Sequence, residues 1–173
     1  MSTSKLILQS ENLSFSTWAD DQLPDLVKLH GDIEVTRHLS GRVETEEDGK
    51  RRMAEWQKDF AEHGWCKFRV TETATGAFVG RAGFGVHEGT PEIGYALLPE
   101  HQGKGYAVEA ASRLRDWFFE TQSDDFFIGY AYTENTASTH ILRKIGLEFT
   151  HTDIDDSGKE VILHKLTREQ WRG

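Results

Sequence analysis

Residues 92–118, EIGYALLPEHQGKGYAVEAASRLRDWF, decide the fold. They read as a strand over 92–98, a loop built on Gln102-Gly103-Lys104-Gly105-Tyr106-Ala107, and a helix. The helix carries Ala107, Ala111, Leu114 and Phe118 as one stripe, and its small residues Ala107, Ala110 and Ala111 let it lie close to a sheet. The first N–H groups of a helix lack intrahelical partners, and the helix dipole favours negative charge there. Glycine lets backbone approach an anion with no Cβ in the way. The loop therefore reads as a diphosphate site. On local pattern alone it reads equally well as a tight turn, since short Gly-x-Gly strings are weak signals.

Immediately upstream, 65–71 and 77–87 are strand-like and joined by the turn Thr73-Ala74-Thr75-Gly76. A second turn, Glu88-Gly89-Thr90-Pro91, leads into residue 92. Three strands thus form an antiparallel meander that ends at the glycine loop. Downstream, 126–132 is a short apolar strand. Asn135 reads as the N-cap of a helix over 136–145, which Gly146 stops. Residues 147–154 and 160–166 form a final hairpin about Asp155-Asp156-Ser157-Gly158.

The N-terminal third starts with a strand over 13–18. Asp20-Asp21 offers an N-cap, with Pro24 in the first turn of a helix that buries Leu23, Leu26, Val27 and His30. His30 reads as a helix-end residue rather than a ligand. A second short helix is expected over 33–39. Thr45-Glu46-Glu47-Asp48 is an acidic helix start close to a capping box, with Asp where Glu or Gln is usual. Met53, Trp56 and Phe60 recur at helical spacing before Gly64, as core or as the wall of a cleft. Residues 167–173 are expected to fray or to cover an edge. No repeat or linker interrupts the chain. One α/β domain with a mixed sheet is expected over 1–173, its core at about 12–166.

At 173 residues the chain is long enough for one core and marginal for two. No apolar run approaches the ~18 residues of a membrane helix, and no basic segment followed by a long apolar one marks a secretory signal. The single cysteine, Cys66, precludes an internal disulfide and argues against a Cys-based metal cluster. A cytoplasmic setting is expected, with no metal. The formal charge of −9 argues against a nucleic-acid binder, which needs a basic surface. It serves solubility and is compatible with a cationic substrate.

Two phosphate-loop motifs fail. A P-loop needs Ser or Thr after Gly-Lys, and the Gly-Lys pairs here precede Arg51, Gly105 and Glu160. A dinucleotide fingerprint needs a third glycine where Val108 stands, and an acidic residue at the end of the second strand. Asp124 and Asp125 precede their strand. What remains is Gln/Arg-x-x-Gly-x-Gly/Ala, met by Gln102, Gly105 and Ala107. It resembles the coenzyme A loop of the Gcn5-related N-acetyltransferases (GNAT). EIGYALLPE resembles that family's fourth strand, and ENTASTHILRKIGLEF its later motif. The order of elements agrees over 13–166. The likeness is greatest to the ribosomal-protein N-acetyltransferase (RimJ/RimL-type) branch.

The resemblance implies a sheet with a splayed strand pair that admits the pantetheine arm of acetyl-CoA. It implies that Leu97 and Leu98 pair their backbone with that arm, that Gly103, Lys104, Gly105, Tyr106 and Ala107 hold the diphosphate after Gln102, and that Asn135 hydrogen-bonds the pantetheine. Lys104 adds a charge there or points to solvent. Acetyl transfer to an amine needs a neutral nucleophile, a stabilised oxyanion and a leaving thiolate that is held or protonated. An alkyl amine of pKa ~10 needs a base or a desolvating cleft at neutral pH. Glu92 is the candidate base, on one strand face with Gly94 and Ala96; otherwise it is a solvated strand-start residue. The Leu97 N–H is the candidate oxyanion donor. Leu142 stands where many family members carry a tyrosine acid, so Ser138 is the candidate hydrogen-bond donor to the thiolate. Tyr132 and His140 are weaker alternatives, and His101, beside the diphosphate loop, reads as a loop residue rather than a catalyst.

The expected activity is acetyl transfer from acetyl-CoA to the primary amine of a protein N-terminus or of a small molecule such as a polyamine, amino acid or aminoglycoside. The segments 44–48 and 153–160 are expected to line an acidic acceptor cleft. A non-catalytic acyl-CoA sensor is the alternative, and a dinucleotide oxidoreductase a distant third. The exposed edge near the C-terminal hairpin suits a homodimer.

Overall fold

The computed structural model describes residues 3–173. Eight strands form one sheet in the order β1-β2-β3-β4-β5-β6-β8-β7. They are β1 (Leu6–Gln9), β2 (Leu13–Ser16), β3 (Lys67–Glu72), β4 (Phe78–His87), β5 (Thr90–Leu97), β6 (Phe126–Tyr132), β7 (Glu148–Ile154) and β8 (Glu160–Thr167). Every neighbouring pair is antiparallel except β5 and β6, which are parallel and meet at one position, Glu92 opposite Ile128. The sheet is mixed and mostly antiparallel, as the meander implies. β7 is one edge and is exposed along its whole length.

Helices cover both faces. α1 (Leu23–His30), α2 (Ile33–Thr36) and α3 (Glu46–His63) lie on one side; α4 (Tyr106–Thr121) and α5 (Thr136–Lys144) lie on the other. Strand alternation explains the division. In β3, Phe68 and Val70 face α4, where Phe68 meets Trp117 edge-on. Lys67 and Arg69 face the opposite side, where Arg69 pairs with Asp25 of α1 at 2.6 Å. Ala110, Ala111, Leu114 and Phe118 of α4 are fully buried against the apolar face.

Local signals account for the helix ends. Thr45 accepts from the Asp48 N–H while the Asp48 carboxylate accepts from the Thr45 N–H, so the capping box closes with Asp in the third position. Gly64 ends α3 in the left-handed region at φ 79°. Asp20 and Asp21 do not cap α1. They form a 3-10 turn with Gln22, whose side chain accepts from the Ala19 N–H. The second helix stops at Thr36, three residues earlier than its pattern suggests. The N-terminal strand β1 lies outside the segment that sequence alternation picks out. The C-terminus does not fray: α6 (Arg168–Arg172) stacks Trp171 on Phe119 and donates its indole N–H to Asp116.

His30 closes α1 and is buried with polar partners. It lies 3.1 Å from Glu44 Oε1 through Nδ1 and receives a hydrogen bond from Arg81 Nε through Nε2. Burial, with Arg81 adding to it, lowers its pKa to about 3, so it is neutral and donates from Nδ1. Burial works against the Glu44 carboxylate, but two bonds from Arg52 bring its pKa down to about 2. Removing one member of a buried pair strands the other. Glu44→Ala is expected to lower the unfolding free energy by about 3–5 kcal/mol, as read from urea denaturation.

Candidate active site

β4 and β5 pair in full register, and Leu98 donates its N–H to the Val79 carbonyl at 2.9 Å. Antiparallel alternation then turns the N–H and C=O of Tyr95 and Leu97 away from β4, toward β6. β6 follows β8 over its whole length and leaves β5 after the single pairing at Glu92. The opening so created is a cavity of about 820 Å³, within the range of small-molecule sites. It reaches from Gln102, Gly103 and Gly105 past Tyr95 and Ser138 to Glu92, Lys67 and Arg81.

The loop end of the cavity has no side chain in the way. Gly103 and Gly105 both hold φ near 80°, and a Cβ built on either would meet nothing within 4 Å. Gly105 caps the 16-residue α4 without a side-chain cap bond. Among the described residues, none of the N–H groups of residues 103–107 has a hydrogen-bond acceptor. The Gln102 side chain holds the loop by donating to the Leu97 carbonyl at 3.1 Å. This is an anion cradle in form, and it suits a diphosphate. Lys104 lies against Glu72 at 3.7 Å and does not line the cavity. Tyr106 lines it with its ring while its hydroxyl donates to Glu72. Glu109, one turn on, accepts from the Asn12 N–H and Nδ2 and from Ser10, tying the β1–β2 turn to the helix.

The middle of the cavity carries hydroxyls. Asn135 caps α5 by accepting from the Ser138 N–H. The Tyr95 hydroxyl lies 3.2 Å from Ser138 Oγ and 3.3 Å from its carbonyl oxygen. Burial raises the Tyr95 pKa to about 12, so the phenol keeps its proton. Leu142 is buried, its side chain packed over Gly129, and supplies no proton. His140 is exposed and outside the cavity. Tyr132 lines the wall and donates to the Leu39 carbonyl at 3.4 Å.

At the far end the sheet is bare. Gly83, Gly85 and Gly94 stand side by side on β4 and β5, facing α1 and α3. Lys67 stretches across them, and a Cβ on Gly94 would run into its ammonium. Lys67 Nζ reaches Glu92 Oε1 at 3.7 Å. Burial raises the Glu92 pKa, against the pull of Lys67, and burial lowers Lys67 to about 8. Glu92 Oε2 is buried with no partner among the described residues. Glu92 is thus neither solvated nor a plain strand start.

Two sequence expectations are corrected. Leu98 cannot offer its N–H to a ligand, because Val79 holds it, and its side chain packs under α1 with Leu29. The segments 44–48 and 153–160 do not line the cleft. Glu44 is turned inward to Arg52, Asp48 caps α3, and 153–160 belongs to the hairpin beyond β6. The cleft is basic instead, with Arg52, Lys67 and Arg81 at its end. Sequence reasoning also missed Tyr95. It missed Lys67 and Arg81 too, for which the available signal was a row of charged and glycine positions at alternate residues of three adjoining strands, which sequential reading does not superimpose.

A sheet that opens at one strand pair, with a helix start of unpaired N–H groups on one side and a buried carboxylate on the other, suits an acyl-CoA-dependent transferase. Residues 12–148 match the family model described as "Acetyltransferase (GNAT) domain", and the chain belongs to this family. Membership makes it an acyltransferase. It is 33% identical over 116 residues to the uncharacterized N-acetyltransferase YnaD of Bacillus subtilis (strain 168), covering 67% of each chain. A GNAT acetyltransferase from Bacillus anthracis shares the fold with a TM-score of 0.80 at 24% identity, covering 94% of this chain and 98% of that one. The Salmonella typhimurium acetyltransferase that modifies the N-terminal serine of a 50S ribosomal subunit protein does so with a TM-score of 0.78 at 14% identity, covering 94% and 99%. No helix among the described residues is long and apolar enough to cross a membrane.

Gly94→Ala is expected to displace the flexible Lys67 tip while changing stability by less than about 1 kcal/mol. Without its cation, Glu92 should titrate at still higher pH than in the parent. A carbon-detected NMR titration of the glutamate carboxyls, beside a urea melt, checks both.

Proposed function

We propose that this enzyme moves the acetyl group of acetyl-CoA directly to the primary amine of an acceptor that approaches from the α1–α3 face. The observation that carries this reading is the continuity of one cavity from the unpaired N–H groups of the loop to the Glu92 carboxylate. Acetyl-CoA supplies a thioester, an acyl group with a good leaving thiolate. Residues 103–107 hold its diphosphate through their N–H groups, and Asn135 and the β6-facing edge of Leu97 hold the pantetheine arm. The Leu97 N–H donates to the acyl oxygen as negative charge builds there. Glu92, directly or through one water, accepts the proton that the amine loses as its nitrogen bonds to the acyl carbon. Ser138 and Tyr95 donate to the sulfur as the carbon–sulfur bond breaks, and Tyr95 supplies the hydroxyl that Leu142 lacks.

Proteins with this fold use acceptors of different kinds: the Salmonella typhimurium protein modifies a protein N-terminus, and a Vibrio cholerae structure is a spermidine N-acetyltransferase. The acceptor here must come from this chain's own residues.

Release of CoA thiol across a panel of amines tests the reading. Glu92→Gln is expected to lower kcat by about a hundredfold to ten-thousandfold. Because burial raises its pKa, Glu92 gives up its proton only above the ordinary 4.5. Turnover should fall as pH drops through that raised value, and this limb should vanish in Glu92→Gln. Tyr95→Phe and Ser138→Ala, each removing one neutral donor, should lower kcat by roughly two- to tenfold. Parent-level turnover in Glu92→Gln would overturn the assignment.

A further inference from the structure

Two buried cations at the α1–α3 end of the cavity lack a close anionic partner. Arg52 is matched by Glu44 through two hydrogen bonds, and His30 is neutral. Lys67 and Arg81 face Glu92; Asp59 also acts on Lys67 and Glu44 on Arg81, in neither case as an ion pair among the described residues. Lys67 Nζ is 3.7 Å from Glu92 Oε1, longer than a hydrogen bond. Arg81 is only 4% exposed. Its Nε donates to His30, its guanidinium lies over the Trp56 ring, and its Nη1 and Nη2 have no acceptor among the described residues. Both cations converge on Gly94, with Arg81 Nη1 3.9 Å from the point where a Cβ would stand. Buried charges are normally paired, and a guanidinium fork matches a carboxylate.

We propose that the acceptor is a compact amine that also bears a carboxylate close to its nitrogen, an amino-acid-like zwitterion. Arg81 and Lys67 take the carboxylate and Glu92 sits beside the amine. This rests on the acetyl-transfer reading above and narrows its substrate. Lys67 links the two halves, since it touches the carboxylate site at Arg81 and the base at Glu92. The three glycines beneath it let the Lys67 side chain lie flat on the sheet, with its ammonium over Gly94 at the cavity wall. A polyamine brings only positive charge to a cavity end whose two buried cations already lack close anionic partners. A peptide N-terminus carries an amide where the carboxylate is needed, so Arg81 would stay without an anionic partner.

The test uses matched pairs with acetyl-CoA: phenylalanine and phenethylamine, leucine and isoamylamine, glutamate and γ-aminobutyrate, β-alanine and ethylamine, with spermidine and a neutral tripeptide alongside. Thiol release gives kcat/KM, and calorimetry on the CoA-loaded enzyme gives acceptor affinity. Stabilisation by acetyl-CoA in a thermal melt reports separately on the donor site, so failure of the acetyl-transfer reading shows there. Carboxylate-bearing members should exceed partners that lack the group by at least tenfold. γ-Aminobutyrate, whose carboxylate is more distant, should fall below glutamate. Lys67→Met and Arg81→Gln should raise KM for the carboxylate acceptors more than tenfold, shrink the gap within each pair and leave the acetyl-CoA shift intact. Equal or better use of the bare amines, spermidine or the tripeptide overturns the proposal. So does absence of acceptor binding by either class in an enzyme that still binds acetyl-CoA. If Arg81→Gln does not fold, Lys67→Met carries the same comparison.

Discussion

One rung of pairing, Glu92 opposite Ile128, holds β5 to its parallel neighbour, and the strands part beyond it. A sheet does not normally leave backbone N–H and C=O groups unmatched in its middle. Here the edge groups of Tyr95 and the Leu97 N–H face an opening, the Leu97 carbonyl being held by Gln102, while β4 on the other side is fully paired. Such an edge can add an extended ligand as if it were a strand. Because the rung is Glu92 itself, the residue that fixes where the strands separate also projects the carboxylate. The loop follows β5 at once, so the anion cradle is placed by the same strand.

The two sides of that opening are chemically unlike because strand alternation makes them so. One side is apolar, with Phe68, Phe84 and Ile93 packed under α4, and it ends in hydroxyls at Tyr95 and Ser138. The other is a glycine floor crossed by Lys67, with Arg81 and Glu92 beside it. Burying three charges on a sheet is costly, and helices α1 and α3 are held over them by further polar contacts through His30, Glu44 and Arg52. The site and the stability of the N-terminal helices therefore share one network, in which a change to a supporting residue reaches the chemistry.

Strong local chemistry made much of this readable from the chain. The capping box at Thr45, the left-handed Gly64 and the turn at 73–76 each act within a few residues, so pattern and structure agree. The loop was legible for the same reason: Gln102, Gly105 and Ala107 are close in sequence, and glycine at positive φ is a local requirement. Glu92 could be assigned to a strand face by counting. Lys67 and Arg81 could not be joined to it, because β3 and β4 must first be aligned in register, and register is not a local property; Tyr95 shares the strand with Glu92 but faces the other side, where only the fold brings Ser138 to it. The acidic segment 44–48 misled for a related reason. Its charges suggested the wall of an acceptor cleft, but Glu44 turns inward to Arg52, a partner eight residues on that only the fold brings into reach. The end of the chain was undervalued because Trp171 gains its stability from Phe119 and Asp116, far upstream.

In the proposed reaction the parting of β5 and β6 is the passage that joins donor and acceptor. A crystal structure of the enzyme with bound CoA measures this most directly. The account predicts the diphosphate on the N–H groups of residues 103–107, the pantetheine arm along the β6-facing edge of Leu97, and the sulfur beside Ser138 and Tyr95. CoA seated elsewhere, or a sheet in which β5 and β6 close into continuous pairing past Glu92, would contradict it.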